Sequence, residues 1–169
     1  PTNVTAGSLD REWVSFYDPD ASGRTAITTL PNTSTSGGAG NSKNGIRLDY
    51  PVEVPQSGTY CLFVRMQAPS ADPGNSDSVH IAVDNGPLAT DGGQGLSEGV
   101  PTDDDSVPDG GWGWVHGVTA DGDSDDYRTV SFGSAGRHHI NLFMREDGTR
   151  VDRILLRRKG GVDCDTHEP

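Results

Sequence analysis

Two tryptophans stand two residues apart, Trp112 and Trp114, with Gly111 and Gly113 beside them. On a strand that spacing puts both rings on one face. A flat aromatic ring stacks on the C–H groups of a sugar, and polar side chains nearby take its hydroxyls. The plain alternative is that both rings are core, where tryptophan is commonly buried. The expectation is one ring in the core and one near a loop, Trp112 being the nearer. Tyr127 is a further aromatic candidate, with Trp13, Phe16 and Tyr17 weaker.

Polar candidates come from alternate positions on apolar stretches. Arg65 and Gln67, His80 and Asp84, and His139, Asn141 and Arg145 all fall on the side away from the apolar residues. If these stretches are neighbouring strands, they form one polar, partly cationic face. An arginine there can pair with a uronate or a sulfate. The competing reading, favoured for most of these residues, is a solvated outer sheet face.

Carboxylates could hold Ca²⁺ in two loops, Asp103–Asp105 with Asp109, and Asp121–Asp126. The second run starts like an EF-hand loop but has Asp126 where Gly is needed and Phe132 where Glu is needed, so that motif is rejected. Solvated acidic loops are the commoner outcome. His138 and His139 are adjacent and on a strand point to opposite faces. There is no His-Glu-x-x-His motif and no P-loop. A paired-carboxylate glycosidase stays open, because carboxylates are abundant.

These groups sit on an acidic, turn-rich chain. The 169 residues carry 13 basic and 25 acidic side chains, a net charge of −12. That argues against nucleic acid and against anionic membrane surfaces, both of which need a basic footprint. No segment approaches the roughly 20 apolar residues of a membrane helix. With 31% hydrophobic residues, 23 glycines and 11 prolines, the chain suits a β protein with a thin core. Cys61 and Cys164 either form one disulfide, worth about 4–5 kcal/mol in the chain-entropy picture, or stand as two thiols.

The elements that would position the candidates are strands. Alternation predicts strands over 46–54, 59–67, 78–84, 112–118, 128–132, 138–145 and 151–157. Pro51 marks an edge or a bulge. Tyr60, Leu62, Val64 and Met66 share one side of their strand, and Cys61, Phe63, Arg65 and Gln67 the other. Asn85-Gly86 and Glu146-Asp147-Gly148 read as tight turns. Residues 87–110 are a long Gly/Asp/Pro-rich excursion of the kind that is functional or held by an ion. No helix of ten residues is evident. The fold expected is all-β, a β-sandwich or jelly roll of antiparallel strands with long loops, in one domain over 1–169; strand period alone does not choose between the two.

Three passages in order carry a family resemblance: Gly58-Thr-Tyr-Cys-Leu-Phe-Val-Arg65-Met, Asp77-Ser-Val-His-Ile-Ala-Val-Asp84, and Arg145-Glu-Asp-Gly-Thr-Arg-Val-Asp152-Arg-Ile-Leu-Leu. The series, covering about residues 46–157, resembles jelly-roll carbohydrate-binding modules around families 6 and 35. It is similar too to accessory domains of agarases and family 115 glucuronidases. The resemblance implies non-catalytic sugar binding and a structural Ca²⁺. Asp152 matches the position of an acidic calcium ligand in such modules. The usual Glu-Ala-Glu start is absent, and Asp10 or Glu12 would have to stand in for it.

The functional expectation is therefore a module that targets a secreted enzyme to a polysaccharide, either a marine galactan or a uronate-containing glycan. Its ligand-binding residues would come from Trp112, Trp114, Arg65, His80, Asn141, Arg145 and Tyr127. It would be a monomer, excised from a larger extracellular protein. The competing expectations are a Ca²⁺-stabilised structural or adhesive sandwich of a cell-surface protein, and a small hydrolase or lyase.

Overall fold

The computed structural model describes residues 2–4, 11–33, 46–69, 76, 79–86, 110–115, 129–160 and 164. Ten strands run through them: β1 (Thr2–Val4), β2 (Glu12–Tyr17), β3 (Thr25–Leu30), β4 (Arg47–Val54), β5 (Gly58–Gln67), β6 (Val79–Val83), β7 (Gly113–Val115), β8 (Thr129–Phe132), β9 (Gly136–Met144) and β10 (Arg150–Arg158). Only a three-residue 3₁₀ turn, Ser22–Arg24, interrupts them among the described residues.

The strands form two antiparallel sheets. The smaller has the order β1-β4-β9-β6; the larger runs β2-β3-β10-β5-β7, with β8 pairing the other half of β5. Both sheets turn their apolar alternation inward. Leu48, Tyr60, Leu62, Val64, Met66, Ile81, Ile140, Leu142 and Val151 meet in one core with Trp13. Burying such side chains is the main favourable term in a chain this poor in apolar residues. This is the all-β sandwich expected from the alternation, and the jelly roll that the resemblance implies.

Local chemistry explains the joints. Asp84 and Asn85 both take positive φ, 51° and 59°, ahead of Gly86, as a tight primed turn requires. Pro51 sits past the end of β1, whose pairing covers only Arg47 to Asp49 of β4. There β4 has no neighbour on that side among the described residues, so the missing N–H costs nothing.

Two expectations need correction. The Glu146-Asp147-Gly148 segment is not a hairpin turn, because β9 and β10 lie in different sheets and the segment crosses between them. It is buried, Asp147 completely. Asp147 Oδ2 accepts hydrogen bonds from Arg11 Nε (3.0 Å), Arg11 Nη2 (2.7 Å) and the Thr33 amide (2.9 Å). Gly148 follows at φ 81°, where a β-carbon would come within 2.1 Å of the Asn32 amide nitrogen. The second correction concerns the polar face. β5 belongs to the larger sheet and β6 and β9 to the smaller, so Arg65 and Gln67 do not share a face with His80, Asn141 and Arg145.

Candidate functional site

The outer face of the larger sheet carries the strongest constellation. Its strands β10 and β5 pair in register, Arg153 opposite Arg65, Leu155 opposite Phe63 and Arg157 opposite Cys61. On the other side of β5, Trp114 lies opposite Arg65. A bulge between Val151 and Arg153 breaks the alternation and admits Asp152 as the extra residue.

Arg65 is the hub of this face. Its guanidinium lies 5.4 Å from the ring centroid of Trp112, a cation–π distance. It forms an ion pair with Asp152, whose side chain is fully buried. It also donates to the carbonyl of Asp20 at 3.3 Å. Asp152 Oδ2 accepts a further bond from the Ser22 amide at 3.0 Å, which ties down the β2–β3 turn. Nearer the loop end, Arg150 donates to Gln67 at 2.7 Å and lies 5.2 Å over the Phe16 ring. Gln67 in turn donates to the Gly110 carbonyl at 2.6 Å. Arg153 is exposed.

The two tryptophans divide their work. Trp114 packs with Leu155 against a small second cluster of Cys61, Phe63 and Cys164. Cys61 and Cys164 are joined as a disulfide, which fastens the tail to this face. Trp112 is half-buried, and its Nε1 is buried without a hydrogen-bond partner among the described residues.

The smaller sheet treats its outer residues differently. His80 and Asn141, both expected to meet a ligand, have no exposed surface. Neither can touch a sugar in this arrangement. Asn141 is structural: it donates to Asp49 Oδ1 at 2.7 Å and accepts from the Asn85 amide at 2.8 Å. Burial works against the charge of Asp49, yet hydrogen bonds from Arg47 and Asn141 outweigh it and hold its carboxyl below the usual range. Neither ring nitrogen of His80 has a hydrogen-bond partner among the described residues. Burial pushes its pKa down to about 4, with Arg145 adding to the effect and Glu146 opposing it. Arg145 pairs with neighbouring Glu146 at 3.2 Å.

The expected calcium ligands do not come together. Glu12 is exposed on β2. Val151 is level with Ile27, and Ile27 with Ser15, so Glu12 lies three residues further along and two strands across from Asp152. At ~3.3 Å per residue and ~4.8 Å per strand that is roughly 14 Å, too far for two carboxylates to share one ion. Asp152 itself is neutralised by Arg65. It offers one unpartnered oxygen, Oδ1, where calcium wants six to eight. Among the described residues, Asp152 and Glu12 thus do not fit one ion. Asp10, Tyr127 and both acidic loops lie outside the described residues.

Sequence reasoning missed Asp20, Ser22 and Arg153 around Arg65. Pairing of β10 with β5 on one side and with β3 on the other gathers them, and no local signal announces it. Gly95-Leu96-Ser97-Glu98-Gly99 spells the Gly-x-Ser-x-Gly pattern of serine hydrolases, which needs a strand before it and a helix after. It lies outside the described residues, so the strand and helix that would confirm it are not established and it carries no enzymatic reading here.

Solved structures share this fold. A family 35 carbohydrate-binding module from Clostridium thermocellum superposes with a TM-score of 0.53 at 20% identity, over 92% of this chain and 91% of that one. Xanthan lyase from Paenibacillus matches with a TM-score of 0.55 and 17% identity, over 90% of this chain but 12% of the lyase. The Podospora anserina GH26-CBM35 β-(1,4)-mannanase matches at 0.50 and 14% identity, over 92% of this chain and 27% of the enzyme. No curated protein sequence matches the chain. The family model of the glycosyl hydrolase family 115 C-terminal domain matches residues 4–164. The chain belongs to the glycosyl hydrolase family 115 C-terminal domains, accessory units with the architecture of carbohydrate-binding modules.

Proposed function

We propose that this domain binds polysaccharide and holds a secreted polysaccharide-degrading enzyme on its substrate. Tethering raises the local concentration of the enzyme without any chemistry of the domain's own. The observation that carries the reading is Trp112, half-buried and stacked on Arg65, on an outer sheet face that also presents exposed Arg153. An aromatic surface beside guanidinium donors suits a sugar ring bearing hydroxyls or a carboxylate. The disulfide supports an oxidising, extracellular setting.

Two glycan classes fit. A neutral galactan would use the Trp112 ring and hydroxyl contacts. A uronate-bearing chain would add a bidentate pair with an arginine. At long range the net charge of −12 opposes the second, but salt confines that repulsion to about 10 Å. Affinity electrophoresis through gels containing agarose, a uronate-bearing xylan or a neutral mannan separates the classes. Retardation by at least one, reversed by free oligosaccharide, is expected. Unchanged mobility in all three would sink the proposal.

A further inference from the structure

Asp152 is a buried carboxylate on an otherwise outward-facing layer, and its placement is costly enough to need a reason. The bulge between Val151 and Arg153 seats it there, and its side chain has no exposed surface. One oxygen is shared by the Arg65 guanidinium and the Ser22 amide. Arg65 then lies across Trp112 with a second tether to the Asp20 carbonyl. A free arginine on a surface samples many rotamers; one fixed by a buried anion presents a single flat surface. The order of contacts is therefore buried anion, guanidinium, indole.

We infer that Asp152 is a positioning residue of the sugar platform: it fixes Arg65 across Trp112, and it does so without a divalent cation. The resemblance to calcium-binding modules implies the opposite use of this carboxylate. Here the guanidinium already neutralises it, and a cation at Oδ1 would face that positive charge at close range. The inference rests on the sugar reading for its functional half and is independent of it for the structural half.

Three measurements on the intact chain test it. The first is thermal melting in EDTA and in excess Ca²⁺. The second is acrylamide quenching of tryptophan fluorescence, with Trp112→Phe as the background for the other rings. The third is affinity for agarose, for a uronate-bearing xylan and for a neutral mannan. Asp152→Asn should raise quenching and weaken whichever affinity the wild type shows by about tenfold. Asp152→Glu should restore part of both. The double variant Arg65→Met/Asp152→Asn removes both charges together, so it keeps the fold if Asp152→Asn alone does not. It should be quenched like Asp152→Asn. EDTA should leave melting unchanged. A fall in melting temperature with EDTA, or wild-type quenching and affinity in Asp152→Asn and the double variant, would overturn the inference. If the wild type binds none of agarose, the xylan and the mannan, the sugar reading fails, while quenching and melting still decide whether Asp152 holds Trp112 without a cation.

Discussion

The two outer faces of the sandwich both carry polar side chains, but they differ in what those side chains reach. On the smaller sheet, His80 and Asn141 are fully buried, and Asn141 is bonded to Asp49 and the Asn85 amide. On the larger sheet, Arg65 keeps about a fifth of its side chain exposed, and Arg153 is open to solvent. The same period-two alternation produces both faces. Alternation reports which side chains point away from the core; it does not report which sheet a strand joins, or what lies over it. The larger sheet is therefore the face proposed to dock a ligand, while His80 and Asn141 of the smaller one are buried out of reach.

The largest expected effect falls on the open face. Cys61→Ser/Cys164→Ser removes a link spanning 103 residues, and stability should drop by about 4–5 kcal/mol in urea unfolding. A drop below about 1 kcal/mol would mean that the tail does not hold this face.

The strands, their inward residues and the turn at Asn85 were legible because each obeys a local rule. Tyr60, Leu62, Val64 and Met66 entered the core as their spacing requires. β1, β2 and β3 were not read as strands. β3 is mostly threonine and alanine, and its apolar alternation is too weak to show. Sheet membership was not legible either, and that error put Arg65 beside His80. The Asp147 segment misled for the same reason: Asp-Gly spells a turn, but only the fold shows that it crosses between sheets and is sealed by Arg11 and Thr33. Of the site, Trp112 and Arg65 could be named from sequence. Their contact could not, since it joins β5 to the segment before β7 across 46 intervening positions.

The closed face has its own signature in acid. The unfolded chain takes up a proton at a histidine near pH 6.5, whereas folded His80 resists until about 4. Stability should be full above pH 6.5 and fall as pH drops from 6.5 to 4, by up to about 3 kcal/mol from this residue. His80→Gln should flatten that part of the profile. An unchanged slope would show that His80 is not held neutral by burial.

A smaller effect of opposite sign belongs to the edge of the same sheet. His138 is hydrogen-bonded to Asp84 at 2.6 Å, which raises its pKa, with the Ser134 carbonyl contributing and desolvation opposing. Its contribution is complete below about pH 6.5 and is lost as pH rises through the folded value. For Asp84, burial disfavours the charge but the bonds from His138 and the His139 amide prevail and lower its pKa. Its contribution is lost as pH falls through that lowered value. His138→Gln should therefore remove a shallow loss of melting temperature between neutral and mildly alkaline pH.

The central claim is that the larger sheet's outer face, and not the smaller one's, binds glycan. Isothermal titration with an oligosaccharide of the glycan that retards the wild type, applied to Trp112→Ala and Asn141→Ala, tests it most directly. Trp112→Ala should weaken binding by at least about tenfold with little change in melting. Asn141→Ala should cost about 1–3 kcal/mol of stability, by leaving the Asn85 amide unpaired, and leave affinity at the wild-type value. The reverse pattern, with affinity kept in Trp112→Ala and lost in a folded Asn141→Ala, would contradict the account.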